Sequence, residues 1–164
     1  MDSNVILIDL GVAYVGHDIY VGNHQCCNIG GYPNGARVLH IWRSDHPDSS
    51  CHATKGKAEP GPDDLVVEYK DGQKIQCSES HTIEQIEEFF RIPGPVFVHC
   101  AVGQTRSPTL AIIGKAIRGC DVYQAYAEVL RGIHATRGIV FNVCLDPTTE
   151  LLSRYGHQHQ EAAT

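Results

Sequence analysis

The sequence predicts an α/β protein, a central mixed sheet of about five strands flanked by helices. Three observations carry this. Short runs rich in Val, Ile and Tyr crowd the earlier part of the chain, and helix-like segments cluster later. One run at 96–99 stops at Cys100, crosses a small polar loop, and restarts as a helix behind Arg106-Ser107-Pro108. Strands are expected over 5–10, 13–16, 18–21, 37–41, 65–69 and 96–99, each bounded by Gly, Asp or Pro.

The helices follow from caps and period. Thr82-Ile83-Glu84-Gln85 has the form of a capping box, and Ile83, Ile86 and Phe89/Phe90 recur at helical spacing until Pro93-Gly94-Pro95 ends the segment. A second helix is expected over 108–118, with Leu110, Ile113, Ala116 and Ile117 on its buried side and Gly119 as its C-terminal cap. A third starts at Asp121 and fades near Gly132. A fourth opens at Asp146-Pro147 and carries Leu151 and Leu152. Residues 44–64 are rich in Asp, Ser, Pro, Gly, His and Lys and read as a flexible loop; 156–164 read as a tail.

Composition narrows the functions. The 164 residues suit a single domain over 1–164 with one sizeable core. A net charge of -6 argues against a nucleic-acid partner, because phosphate backbones reward clustered Lys and Arg. No apolar run reaches membrane-spanning length, and MDSNVILIDLG lacks the marks of a signal peptide, so a cytoplasmic location is expected. Seven cysteines at irregular spacings do not form a secreted disulfide framework. Ten histidines show no HExxH or comparable ligand spacing, so neither a metal nor a cofactor is expected.

The stretch 96–111 carries the chemistry. An arginine stands at the sixth position after Cys100; after Cys26, Cys27, Cys51, Cys77, Cys120 and Cys144 that position holds Tyr32, Pro33, Lys57, Ile83, Tyr126 and Glu150. A loop between a strand's C-terminal end and a helix N-terminus aims several backbone N–H groups into one concavity, a nest for an oxyanion. Gly103 permits a tight turn there. Arg106 adds a planar fork that grips two phosphate oxygens. A cysteine in that positive field favours thiolate over thiol, and Ser107 can donate its hydroxyl to the sulfur.

This stretch resembles the signature HCxxGxxRS of the cysteine-dependent protein tyrosine phosphatases, and the wider chain looks most like their dual-specificity branch. DIYVGN and VLHIW resemble that family's opening and following core strands; 82–90 resembles the helix before the signature strand, and 137–142 with Leu151-Leu152 a looser copy of its C-terminal region. The resemblance implies a phosphatase-type fold and a two-step mechanism through phosphocysteine at Cys100, with no metal. It implies that Ala101, Val102, Gly103, Gln104, Thr105 and Arg106 bind the phosphate, that His99 orients the loop, and that Ser107 assists thiolate departure.

A general acid is expected some thirty residues before the cysteine in that family, and Asp71, at the end of the 65–69 run, is the candidate. Asp63, Asp64 and Glu68 are rivals, and Asp71-Gly72 reads equally as a turn. No lysine stands in the 101–105 loop, which weakens an inositol-phosphate substrate. Tyr32, Trp42 and Tyr69 are candidates to line a shallow cleft. The expected partner is a phosphorylated protein or a small phosphomonoester. Two alternatives stay open: a phosphatase-like module that binds phosphoproteins without cleaving them, and a thiol-based sulfurtransferase or arsenate reductase, the last needing Cys26, Cys27 or Cys51 as a resolving thiol.

Overall fold

Five short strands pair into one mixed sheet in the computed structural model, which describes residues 11–43, 61–69, 80–100 and 106–138. They are β1 (Ala13–Tyr14), β2 (Ile19–Asn23), β3 (Arg37–Arg43), β4 (Leu65–Tyr69) and β5 (Val96–Cys100). The sheet order is β1-β2-β5-β3-β4, with β1 antiparallel to β2 and every other pair parallel. The expected architecture is therefore present. β5, which leads into the cysteine loop, lies at the centre.

Period-two alternation sorts the side chains onto two faces. Ile19 and Val21, Leu39 and Ile41, and Val96, Val98 and Cys100 join the main core beneath the larger helices. Val38 and Phe97 join a second cluster with Val12 and Cys26 on the opposite face. The helices are α1 (His24–Asn28), α2 (Ser80–Arg91), α3 (Arg106–Ile117) and α4 (Val122–Arg137). α3 lies against β2, β5, α2 and α4, while α4 also covers β1. Every side chain described from Ser107 to Ala116 is buried, so α3 has no solvent stripe. Burial all round marks it as an interior helix, with Ser107, Thr109 and Lys115 buried among its apolar side chains.

Several boundaries differ from expectation. α2 begins at Ser80, so Thr82 lies inside the first turn rather than capping it. α3 begins at Arg106 and ends at Ile117; Gly119, with φ 97°, then closes the end as expected. α4 is capped by Asp121, whose carboxylate accepts from Gln124 N–H at 3.0 Å, but it runs past Gly132 to Arg137. Gly132 serves contact there, since a Cβ would stand 2.8 Å from the Tyr14 carbonyl oxygen. Helix α1 was not expected; Asn23 caps it by accepting from Cys26 N–H at 3.0 Å.

Residues 61–64, read as part of a flexible loop, form a turn in which Gly61 N–H donates to the Asp64 carboxylate at 2.8 Å. The expected strand at 5–10, the helix after Asp146 and the tail lie outside the described residues. The start of β5 is fixed by Arg118. Its guanidinium donates to the carbonyls of Phe90 at 2.7 Å and of Ile92 and Gly94 at 3.0 Å, and also to that of His17.

Candidate active site

Strand β5 ends at Cys100 and α3 starts at Arg106, so the strand and the helix expected on either side of 101–105 are present. Cys100 is 5 % exposed and Ser107 0 %, and the cysteine Sγ lies 3.3 Å from the Ser107 Oγ. One strand end and the first helical turn thus bring a thiol and a hydroxyl together. The loop residues Ala101, Val102, Gly103, Gln104 and Thr105 lie outside the described residues, as do Asp71 and the side chain of Arg106.

His99 faces away from Cys100, as consecutive strand residues must. Its ring stacks on Phe97, centroids 5.7 Å apart, on the α1 side of the sheet. His40 is its partner in register across β3 and β5, and His40 Nδ1 lies 2.8 Å from His99 Nε2. His40 Nε2 in turn lies 3.1 Å from Asp64 Oδ2. A partly buried chain Asp64–His40–His99 therefore reaches the residue before the cysteine, giving His99 a fixed orientation.

Asp64 anchors this chain to the backbone. Its other oxygen accepts from Val38 N–H at 2.9 Å. Burial pushes the Asp64 pKa up, but the hydrogen bonds from His40, Val38 N–H and Gly61 N–H outweigh it and hold the carboxyl below its ordinary range. Both carboxylate oxygens of Asp64 are thus engaged, one by Val38 N–H and the other by His40 and Gly61 N–H. Neither His40 nor the role of Asp64 was foreseen. The signal was present only in the register that sets residue 40 against residue 99.

The Tyr32 ring stacks on Phe97 with centroids 5.0 Å apart and 11° between planes, partly buried against the second core cluster. Among the described residues Cys26, Cys27, Cys100 and Cys120 form no disulfide. Cys27 stands beside the histidine chain, its Sγ 3.6 Å from His40 Nδ1. No helix among the described residues is long and apolar enough to cross a membrane.

The fold is that of the protein tyrosine phosphatases in their dual-specificity form. It is similar to human DUSP28, with a TM-score of 0.54 at 16% identity over 92% of this chain and 95% of that one. It is likewise similar to the human tyrosine phosphatase-like serine/threonine/tyrosine-interacting protein, at TM-score 0.56 and 18% identity over 93% and 96% of the two chains. PTPMT1 in complex with PI(5)P superimposes at TM-score 0.57 and 13% identity, over 93% and 99%. No protein-family model and no curated protein matches the sequence.

Proposed function

We propose that the protein is a cysteine-dependent phosphatase acting on phosphotyrosine, with phosphoserine and phosphothreonine as a further class, through a phosphocysteine intermediate. One observation carries the reading: in a phosphatase fold, the Cys100 sulfur at the end of the central strand lies 3.3 Å from the Ser107 hydroxyl in the first turn of α3. In the first step the Cys100 thiolate attacks phosphorus; an S–P bond forms and the P–O ester bond breaks. Amides of 101–105 and the Arg106 guanidinium offset the charge that develops on the equatorial oxygens. Asp71 gives its proton to the leaving oxygen. In the second step Asp71 takes a proton from water, the oxygen of that water attacks phosphorus, and the S–P bond breaks. Ser107 donates its hydroxyl to the departing thiolate, and inorganic phosphate leaves.

The substrate follows from the loop's charge. Ala101, Val102 and Gln104 add no cation to Arg106, which suits one phosphate rather than several. PTPMT1, a fold neighbour, is known with PI(5)P; a phosphatidylinositol phosphate is therefore the comparison substrate. Turnover of an aryl phosphate, a phosphotyrosine peptide and that lipid by the full chain tests the reading. Cys100→Ser is expected to be inactive on all three, and Asp71→Asn to lose about 100-fold on substrates with poor leaving groups. Activity surviving in Cys100→Ser refutes it.

The likeness to the tyrosine phosphatase-like interacting protein favours one other reading, a module that holds phosphoproteins intact. Calorimetry separates the two: a stable phosphopeptide complex without phosphate release by the unaltered protein belongs to the module alone.

A further inference from the structure

On the sheet face opposite Cys100, three potential ligands from distant parts of the chain converge. Cys27 comes from α1, His40 from β3 and His99 from β5. The Cys27 Sγ, His40 Nδ1 and His99 Nε2 atoms all lie within 4.8 Å of one another. Both imidazoles are buried, while Cys27 is only partly so. Val12, Val38 and Phe97 surround the group with apolar surface.

The Asp64 contact decides what His40 presents to this point. An ionised carboxylate only accepts, so the proton of the neutral ring sits on Nε2 and the lone pair on Nδ1. That lone pair faces both His99 Nε2 and Cys27 Sγ. A carboxylate holding the far nitrogen of a ligating histidine is the usual outer support of a metal-bound imidazole, fixing its tautomer and raising its basicity. We infer that Cys27, His40 and His99 form a zinc-binding site, with Asp64 as the carboxylate behind His40.

Donor chemistry and distances both favour zinc. One thiolate and two imidazoles suit a borderline-soft cation, whereas magnesium and calcium seek oxygen. Zinc bonds of roughly 2.0–2.1 Å to nitrogen and 2.3 Å to sulfur place a tetrahedral N and S about 3.5 Å apart and two nitrogens about 3.3 Å apart. The Cys27 Sγ to His40 Nδ1 distance of 3.6 Å already fits. The imidazole nitrogens, hydrogen-bonded at 2.8 Å, have to part by about 0.5 Å as the metal replaces the shared proton. That proton moves to the other nitrogen of His99, and the thiol proton leaves to solvent. One thiolate and the Asp64 carboxylate then balance the dication, so no net charge is buried. Three protein ligands leave a fourth position for water.

The ligand set escaped sequence inspection because spacing rules detect ligands that are near in sequence, and here strand register assembles them. A second group, His17, Cys120 and Glu128, carries no such site because Glu128 is already paired with the buried Lys115.

The site is independent of the phosphatase reading, and its test reads the metal. Metal-free full-length protein is titrated with Co²⁺ and then with Zn²⁺. One equivalent of Co²⁺ is expected to bind with a thiolate-to-cobalt charge-transfer band that Zn²⁺ abolishes. Cys27→Ser should lose the band while keeping its circular dichroism. Asp64→Asn should keep the stoichiometry and bind about 10–100-fold more weakly. Cys100→Ser should match the unaltered protein in band and affinity. Absence of the band in the unaltered protein overturns the inference. So does a band that survives in Cys27→Ser but vanishes in Cys100→Ser, which places the metal on the other thiol.

Discussion

At the scale of single residues, the pair Cys100 and Ser107 separates the two chemical steps of the proposed reaction. Both are buried, and the hydroxyl is 3.3 Å from the sulfur. In the first step the sulfur spends charge on phosphorus, so a donor beside it helps little. In the second step charge returns to sulfur, and a hydrogen bond to a charged group is worth about 1.5–3 kcal/mol. Ser107→Ala is therefore expected to spare phosphocysteine formation and slow its hydrolysis about 10–100-fold. Rapid mixing with an aryl phosphate should then show a burst of phenol, one per enzyme, followed by slow turnover. Equal slowing of both phases would mean that Ser107 only packs against the loop. A histidine chain on the reverse face complements this pair, because β5 turns His99 away as it turns Cys100 toward the helices.

At the scale of elements, helix packing depends on where side chains are missing. Gly114 sits inside α3, where alanine is normally better by about 1 kcal/mol. A Cβ there would stand 2.4 Å from the Phe90 ring of α2, and Phe90 is fully buried with no room to swing aside. Overpacking of that kind costs about 1–3 kcal/mol. The clash outweighs the propensity, so Gly114→Ala should lower stability by about 1 kcal/mol, measured as a shift in the urea midpoint. Phe90→Leu in the same chain should relieve it, leaving the double variant less destabilised than the sum of the singles. Strict additivity would show that α2 and α3 do not meet at this point. Lys115, one residue on, also departs from the expected amphipathic helix: buried, it pairs with Glu128 of α4 and donates to the Val15 carbonyl. Each link ties α3 to a neighbour, and together they explain why this helix has no solvent face.

At the scale of the whole molecule, what the sequence revealed was local and what it concealed was register. β4 matched its β-branched run to the residue, and the strand–loop–helix frame around Cys100 showed because the run of 96–99 and Pro108 punctuate it. Helix α1 was hidden because HQCCN is too short to show a period and Gln25 is its one strong helix former, although Asn23 was there to cap it. The Asp64–His40–His99 chain was hidden because its members come from three segments and meet only when β3 and β5 align residue 40 with residue 99. That chain should leave its mark on acid stability. The folded Asp64 carboxyl titrates below its ordinary value, so the native state binds fewer protons than the unfolded chain in the acid range. The stabilisation is fully present above the unfolded pKa of about 4 and is lost as pH falls through the folded one. Asp64→Asn removes the charge-assisted contacts to His40 and is expected to cost about 2 kcal/mol near neutral pH. Its deficit against the unaltered protein should then shrink steadily as the pH drops below about 4, because acid strips the unaltered protein of the same contacts. Urea midpoints taken at matched pH values measure that gap. A gap that stays constant down to the acid limit would mean that Asp64 supports the turn at 61–64 through its shape and neutral hydrogen bonds, with its charge contributing nothing to the fold.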